Sequence, residues 1–188
     1  GMAIHFRLDI NELRPLGRTA RGVKSMNLRE GDNLVSMDVL TSDLVDQLAK
    51  IDDLTLETDE NLEIDSYGPW VLIASAFGLG KRVPVTQFRL QKRAGMGLRA
   101  IKFRIKDDVL VCLKVLGKGE ELLFVTEKGV IVRTNADKIS QQSRAATGVK
   151  LQRLDEGDHL SEVVLVPHEQ IDEKDQLSSG KENKETND

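Results

Sequence analysis

The chain has 188 residues, 39% hydrophobic and 31% charged, with a formal net charge of −4; this length allows one or two domains with a sizeable core. Its single cysteine, Cys112, excludes an internal disulfide and suits a reducing compartment. The longest apolar run, 70–80, is broken by glycines and too short to span a bilayer, and His5, His159 and His168 lack metal-ligand spacing.

Gly1 ahead of Met2 reads as a cleavage remnant, and no signal-peptide pattern follows, so a cytoplasmic chain is expected. Residues 3–40 open inside a strand and are nearly neutral. Residues 41–68 form an insertion with 9 Asp/Glu against 1 Lys/Arg; the spacing predicts a helix over 43–51 and a short strand over 61–65. Residues 69–118 reverse the charge, with 11 Lys/Arg against 2 Asp/Glu. Strands are expected at 70–76, 81–85, 98–103 and 109–116, with a turn at Gly78 and Cys112 as a small buried hydrophobe. Residues 119–168 show the same plan most cleanly. The run 121–126 meets the turn Glu127-Lys128-Gly129, and 130–133 completes a hairpin. A polar loop with Ile139 as its anchor leads to the alternating strand 148–154, and a last strand spans 160–166. The remaining segment, 169–188, reads as a disordered acidic tail.

The chain repeats itself. Residues 3–40 match 129–166 at a constant offset of 126, with eleven identities that include Arg7/Arg133, Arg18/Arg144, Gly22/Gly148, Lys24/Lys150, Asp32/Asp158 and Leu34/Leu160. A third copy lies between them, offset by 75 from the first and 51 from the last, with Arg82, Arg93 and Gly97 in the matching places. A period near fifty residues with four short strands is one blade of a β-propeller. The reading is therefore an all-β, propeller-type array: blade A 3–40, the acidic insertion 41–68, blade B 69–118 and blade C 119–168, followed by the tail. Three blades, one lacking its opening strand, do not close a ring, since closed propellers use about 4 to 8. Either the chain is part of a larger propeller, or it associates with another chain to complete a ring.

Between the second and third strands each copy carries a heptad ending in glycine: 16–22, 91–97 and 142–148. Together with Gly80-Lys81-Arg82-Val83-Pro84-Val85, these resemble the repeat signature of the C-terminal domain of bacterial gyrase A proteins and of their topoisomerase IV relatives. The resemblance covers 3–167 and matches roughly the last three repeats of such a domain. It implies a six-bladed pinwheel whose blades exchange strands and whose basic rim binds and wraps duplex DNA in support of supercoiling. It also implies two protein partners: the ATPase subunit of such a DNA gyrase or topoisomerase, and the remainder of the topoisomerase A subunit. The family's wrapping box reads Gln-Arg-Arg-Gly-Gly-Lys-Gly. Gln91–Gly97 keeps its Gln91, Arg93, Gly95 and Gly97 but has Lys92, Ala94 and Met96 elsewhere, a degenerate copy.

Wrapping requires phosphate neutralisation along a curved face, not base reading. The candidate DNA contacts are Arg18, Arg21 and Lys24 in the first copy, Arg89, Lys92, Arg93 and Arg99 in the middle copy, and Arg144 and Lys150 in the third. The recurring strand residues Arg7, Arg82 and Arg133 read as structural staples. The heptad glycines read as backbone positions that also bring amides towards phosphate. Leu13/Phe88/Ile139 and Val23/Leu98/Val149 read as core. Gly78-Leu79-Gly80-Lys81 lacks the spacing of a nucleotide-binding loop and reads as a hairpin turn. Tyr67 is given no chemistry, and no catalytic residue, metal or cofactor is expected. The acidic tail, or the acidic insertion, is expected to fold back over the basic block and compete with DNA, with plain solubility as the other reading of those charges, and a protein-interaction propeller is the alternative function.

Overall fold

The computed structural model describes residues 1–11, 13–57 and 68–166. Within them the apolar runs fold as β1 (Met2–Ala3), β2 (Trp70–Ser75), β3 (Leu79–Pro84), β4 (Leu98–Arg99), β5 (Leu110–Leu116), β6 (Glu121–Thr126), β7 (Ile131–Asn135), β8 (Val149–Lys150) and β9 (Leu160–Val166). One α-helix, α1 (Ser42–Glu57), forms in the insertion and runs past both ends of the span its spacing predicts. The expected strand at 61–65, Tyr67 and the tail lie outside the described residues.

The strands make three antiparallel sheets. One has four strands in the order β5-β2-β3-β8, one has three in the order β7-β6-β9, and β1 pairs with β4 alone. The middle and third repeats thus each send a third strand to the outer edge of the repeat before. β4 of the middle copy pairs Leu98 with Ala3, and β8 of the third copy pairs Val149 with Gly80. The strands expected at 98–103 and 148–154 shorten to two residues each, because ladder bonds exist only where the neighbouring edge runs alongside. Of the recurring trio Val23/Leu98/Val149, read as core, Val23 is 46% and Val149 38% exposed. An edge strand packs on one face only and leaves the other to solvent.

The two strand exchanges superpose bond for bond. Ala100 N–H donates to Gly1 O at 3.0 Å and Leu151 N–H to Gly78 O at 2.8 Å; Gln91 N–H donates to His5 O at 2.8 Å and Gln142 N–H to Arg82 O at 3.0 Å. Gly1 therefore holds the turn position of Gly78, and His5, rather than Arg7, holds the place of Arg82. From His5 to Gly22 is 17 positions and from Arg82 to Gly97 is 15. The gapless alignment is thus off by two in this strand, a shift that leaves every side chain on its own face.

Two cores lie between repeats. β2 is buried on both faces: Leu72 and Ala74 face Leu122, Phe124, Ile139, Leu160 and Val163, while Val71 and Ile73 face Ala3, Val83, Phe88, Ala100 and Ile101. Leu48 of α1 rests against the second cluster. Cys112 is buried in the first, and burial pushes its thiol up to about 11. Of the third recurring trio, Phe88 and Ile139 are buried and Leu13 half-buried. Among the described residues no helix is long and apolar enough to cross a membrane.

Candidate nucleic-acid interface

The 91–97 and 142–148 heptad loops sit at the junctions between repeats, each docked on the third-strand segment of the repeat before it. In the 91–97 loop, Ala94 N–H donates to Ser25 O at 2.8 Å and Gly95 O accepts from Asn27 N–H at 2.8 Å. In the 142–148 loop, Ala146 O accepts from Lys102 N–H at 3.3 Å. The heptad arginine bolts each junction. Arg93 Nη1 donates to Lys24 O at 2.5 Å, and Arg144 Nη1 donates to Arg99 O at 2.6 Å.

This geometry sorts the nine predicted residues. It brings Lys24 together with Arg93, and Arg99 together with Arg144, at two equivalent junctions. One cation of each pair, Arg93 or Arg144, is half-buried and spends a donor on the backbone; the other, Lys24 or Arg99, lends only its carbonyl and keeps its side chain exposed. Lys24 Nζ reaches Asn27 Oδ1 at 3.4 Å. Arg18, Arg21, Arg89, Lys92 and Lys150 are exposed and stand apart from these pairs. Among the described residues the ion pairs are Arg82–Asp137, Lys114–Asp38 and Arg133–Glu121, and His159 Nδ1 lies 3.2 Å from Glu127 Oε2, so none of the nine is matched by a carboxylate there.

The strand arginines are engaged otherwise. Arg82 pairs with Asp137 at 3.0 Å and lies over the Trp70 ring at 4.6 Å, while Trp70 Nε1 donates to Gln141 Oε1 at 2.6 Å. Arg133 Nε donates to Glu121 Oε2 at 2.6 Å, and together with Asn135 it holds the Glu121 carboxyl below its ordinary value. Arg7 is exposed.

The glycines serve approach between chains. Gly97 and Gly148 have φ of 76° and 85°. A Cβ on Gly97 would run into Ala3 O, and one on Gly148 would meet Gly80 O at 2.7 Å. The amides expected to turn towards phosphate are largely spent on protein acceptors: Gly148 N–H on Gln142 Oε1 at 3.1 Å, Arg144 N–H on Gln87 Oε1 at 2.9 Å, and Ala146 N–H on Ser143 O at 3.1 Å. A tight inter-repeat seam consumes these donors.

Two kinds of residue escape a reading by residue type. Lys81 is fully buried, and its Nζ donates to Ser143 O, Arg144 O and Ala146 O at 2.8, 2.6 and 2.8 Å. Desolvation, and after it the charge of Arg144, pushes its pKa down to about 8. Its charge holds the heptad loop and is not offered to a nucleotide. The available signal was its period-two spacing with Val83, which is also buried. Asp108 and Asp158 are the second kind. Each caps the hairpin turn of its own repeat, Asp108 Oδ1 accepting from Phe77 N–H and Asp158 Oδ1 from Lys128 N–H, both at 3.1 Å. Lys102, Arg104 and Lys106 are also exposed, the first of them beside the 142–148 loop.

Comparison with known proteins agrees with the repeat structure. A family model described as DNA gyrase C-terminal domain, beta-propeller, matches residues 6–41, 69–112 and 120–167. The chain is 50% identical over 189 residues to the gyrase A protein of Synechocystis sp. (strain PCC 6803), covering 97% of this chain and 22% of that protein. It is 37% identical over 163 residues to the gyrase A protein of Staphylococcus epidermidis, covering 87% of this chain and 16% of that protein. The chain thus spans less than a quarter of either relative. Among solved structures, a DNA gyrase A C-terminal domain matches with a TM-score of 0.49 at 30% identity, over 53% of this chain and 34% of that one.

Proposed function

This chain belongs to the DNA gyrase C-terminal domain family, and we propose that it is a non-catalytic, DNA-wrapping part of a type IIA topoisomerase A subunit. The observation that carries this reading is the pair of equivalent junctions, Lys24 with Arg93 and Arg99 with Arg144. Each brings two cationic residues to one junction, with no carboxylate matched to either among the described residues. A phosphate backbone supplies one anion after another along a curved path, and repeated junctions supply cations at matching places. Bending duplex costs on the order of 1–6 kcal/mol over 20–30 bp, so recurrence along the path, rather than one strong contact, is what wrapping needs.

In this reading Arg18, Arg21, Arg89, Lys92 and Lys150 extend the row on either side of the two pairs. The blades divide as 3–40, 69–118 and 119–168, with 41–68 as an acidic insertion and 169–188 as an acidic tail that compete with DNA. The covalent chemistry belongs to another part of the A subunit, and the ATPase subunit completes a cytoplasmic enzyme.

The test is duplex affinity against salt. Lys24 and Arg99 give the junctions only their carbonyls, so Lys24→Ala and Arg99→Ala leave both junctions in place. Each substitution is expected to flatten the slope of log K against log salt by about one, the share of a single phosphate contact. An unchanged slope in both variants would remove the junctions from the DNA path.

A further inference from the structure

We infer that Lys81 couples DNA binding to a proton: its buried ammonium, seated under the 142–148 loop, strengthens phosphate binding at the Arg99–Arg144 junction without touching DNA. The inference rests on the DNA reading above and adds to it a residue and a linkage.

Lys81 is fully buried on β3, and its Nζ donates to Ser143 O, Arg144 O and Ala146 O. All three acceptors are neutral. No carboxylate pairs with Lys81 among the described residues, whereas its neighbour Arg82 has Asp137 at 3.0 Å. Three carbonyls satisfy the three donors of an ammonium but do not cancel its charge. A whole positive charge is therefore left away from water, where its field is screened less than that of a solvated lysine.

That field falls on the loop. From β2, the residue opposite Lys81 is the apolar Ile73. From the loop, the facing charge is Arg144, whose carbonyl Lys81 holds at 2.6 Å and whose Nη1 reaches Arg99 O at 2.6 Å. On β8, Lys150 is paired with Leu79 and exposed. The loop peptides are trans, so where Arg144 O and Ala146 O point at Lys81, the N–H groups of Ala145 and Thr147 point away from it. Carbonyl ends turned inward and N–H ends turned outward favour an anion on the far side of the loop, where Ala145 is exposed.

The first junction lacks this charge. Ile4 stands there in place of Lys81, its Cδ1 3.3 Å from where a Cβ on Gly95 would lie. Burial, and after it the charge of Arg144, lowers the Lys81 pKa to about 8. An anion laid on the loop favours the ammonium, and by reciprocity the ammonium tightens the anion. In the free chain Lys81 gives up its proton above about pH 8, and DNA draws it back. Affinity is thus highest below that value and falls as pH rises through it.

The chain is titrated with a long linear duplex at one low salt concentration, from about pH 7 to about pH 9.5, in buffers of differing ionisation enthalpy. The expected result is proton uptake on binding above about pH 8 and a fall in affinity of about three- to tenfold across the range, the scale of one charge acting through a single loop. Lys81→Met buries a similar stem without a charge. Its affinity at pH 7 should be lower by the same factor, and its difference from the parent chain should close by pH 9.5. Lys81→Ile, the residue of the first junction, is expected to behave alike, and far-ultraviolet spectra and melts establish that both variants are folded. The Gly1 amine, lowered chiefly by burial, and the exposed lysines are common to all three chains, so the difference between profiles belongs to Lys81. Parent affinity that does not change with pH overturns the inference and leaves the DNA reading standing. Uptake that persists in both variants also overturns it, and failure of the parent chain to bind at pH 7 removes the DNA reading with it.

Discussion

Leu34 and Leu160 are the same residue at the same place in two copies of one repeat, yet Leu34 is 57% exposed and Leu160 only 1%. The contrast continues along the strand: Met37 is 78% exposed where Val163 is 2%. Asp158 caps the Lys128 amide in its turn. The third repeat owns the inner strand β6, which carries Leu122 and Phe124 into the core and pairs with β9 along its whole length. Among the described residues no strand pairs with 34–40 in the way β6 pairs with β9. Apolar residues are thus buried by the strand that faces them, not by their own hydrophobicity, and a repeat sequence can be intact while its blade is not.

The widest gap should come from cutting the same side chain in both places. At concentrations where the chain is monomeric, Leu160→Ala is expected to cost about 2–5 kcal/mol, as large-to-small core substitutions do. Leu34→Ala should stay within about 0.5 kcal/mol, as at an ordinary surface site. Urea titration of both variants measures the difference, and equal losses would mean that the first repeat is packed in solution by something else. Glycines sharpen the comparison at smaller amplitude. Gly22→Ala carries only the left-handed backbone penalty of about 1–2 kcal/mol. Gly148→Ala carries that penalty and also drives a Cβ to 2.7 Å from Gly80 O, so its thermal midpoint should fall further than that of Gly22→Ala.

The same contrast explains what could be read from the residues alone. The repeat period, the two inner hairpins and the last strand were legible, because hydrophobic alternation and turn glycines are local signals. β6 and β9 fall at 121–126 and 160–166, as their alternation predicts. The destination of the third strands was not legible from their patterns, because a two-residue edge pairing such as Val149 with Gly80 leaves no periodicity of its own; the family resemblance supplied strand exchange in general, and the ladders supply the register. The core reading of Val23/Leu98/Val149 failed for that reason. The candidate site was legible as a set of cations but not as pairs, since Arg93 and Lys24 lie 69 residues apart and only the docking of one repeat on the next brings them together. Lys81 was missed because a lysine is normally a surface residue, and only three converging carbonyls make its burial tolerable.

Lys81 also gives the finest test of how one junction differs from the next. At the junction between the first and middle copies, the position matching Lys81 is Ile4, whose Cδ1 lies 3.3 Å from where a Cβ on Gly95 would stand. One heptad loop therefore rests on an apolar side chain and the other on an ammonium. With its pKa near 8 in the folded chain and near the ordinary 10.5 in the unfolded one, Lys81 keeps its proton in both states below pH 8. Between those values the unfolded chain binds the proton that the folded chain has released. Stability from this group therefore rises with pH across that window and levels off above it. Lys81→Ile, which copies the first junction into the second, removes that slope. The denaturation midpoint of the parent chain should climb relative to that of Lys81→Ile as pH rises from about 8 towards 10.5, and parallel profiles would show that the three carbonyls hold the ammonium as firmly as water does.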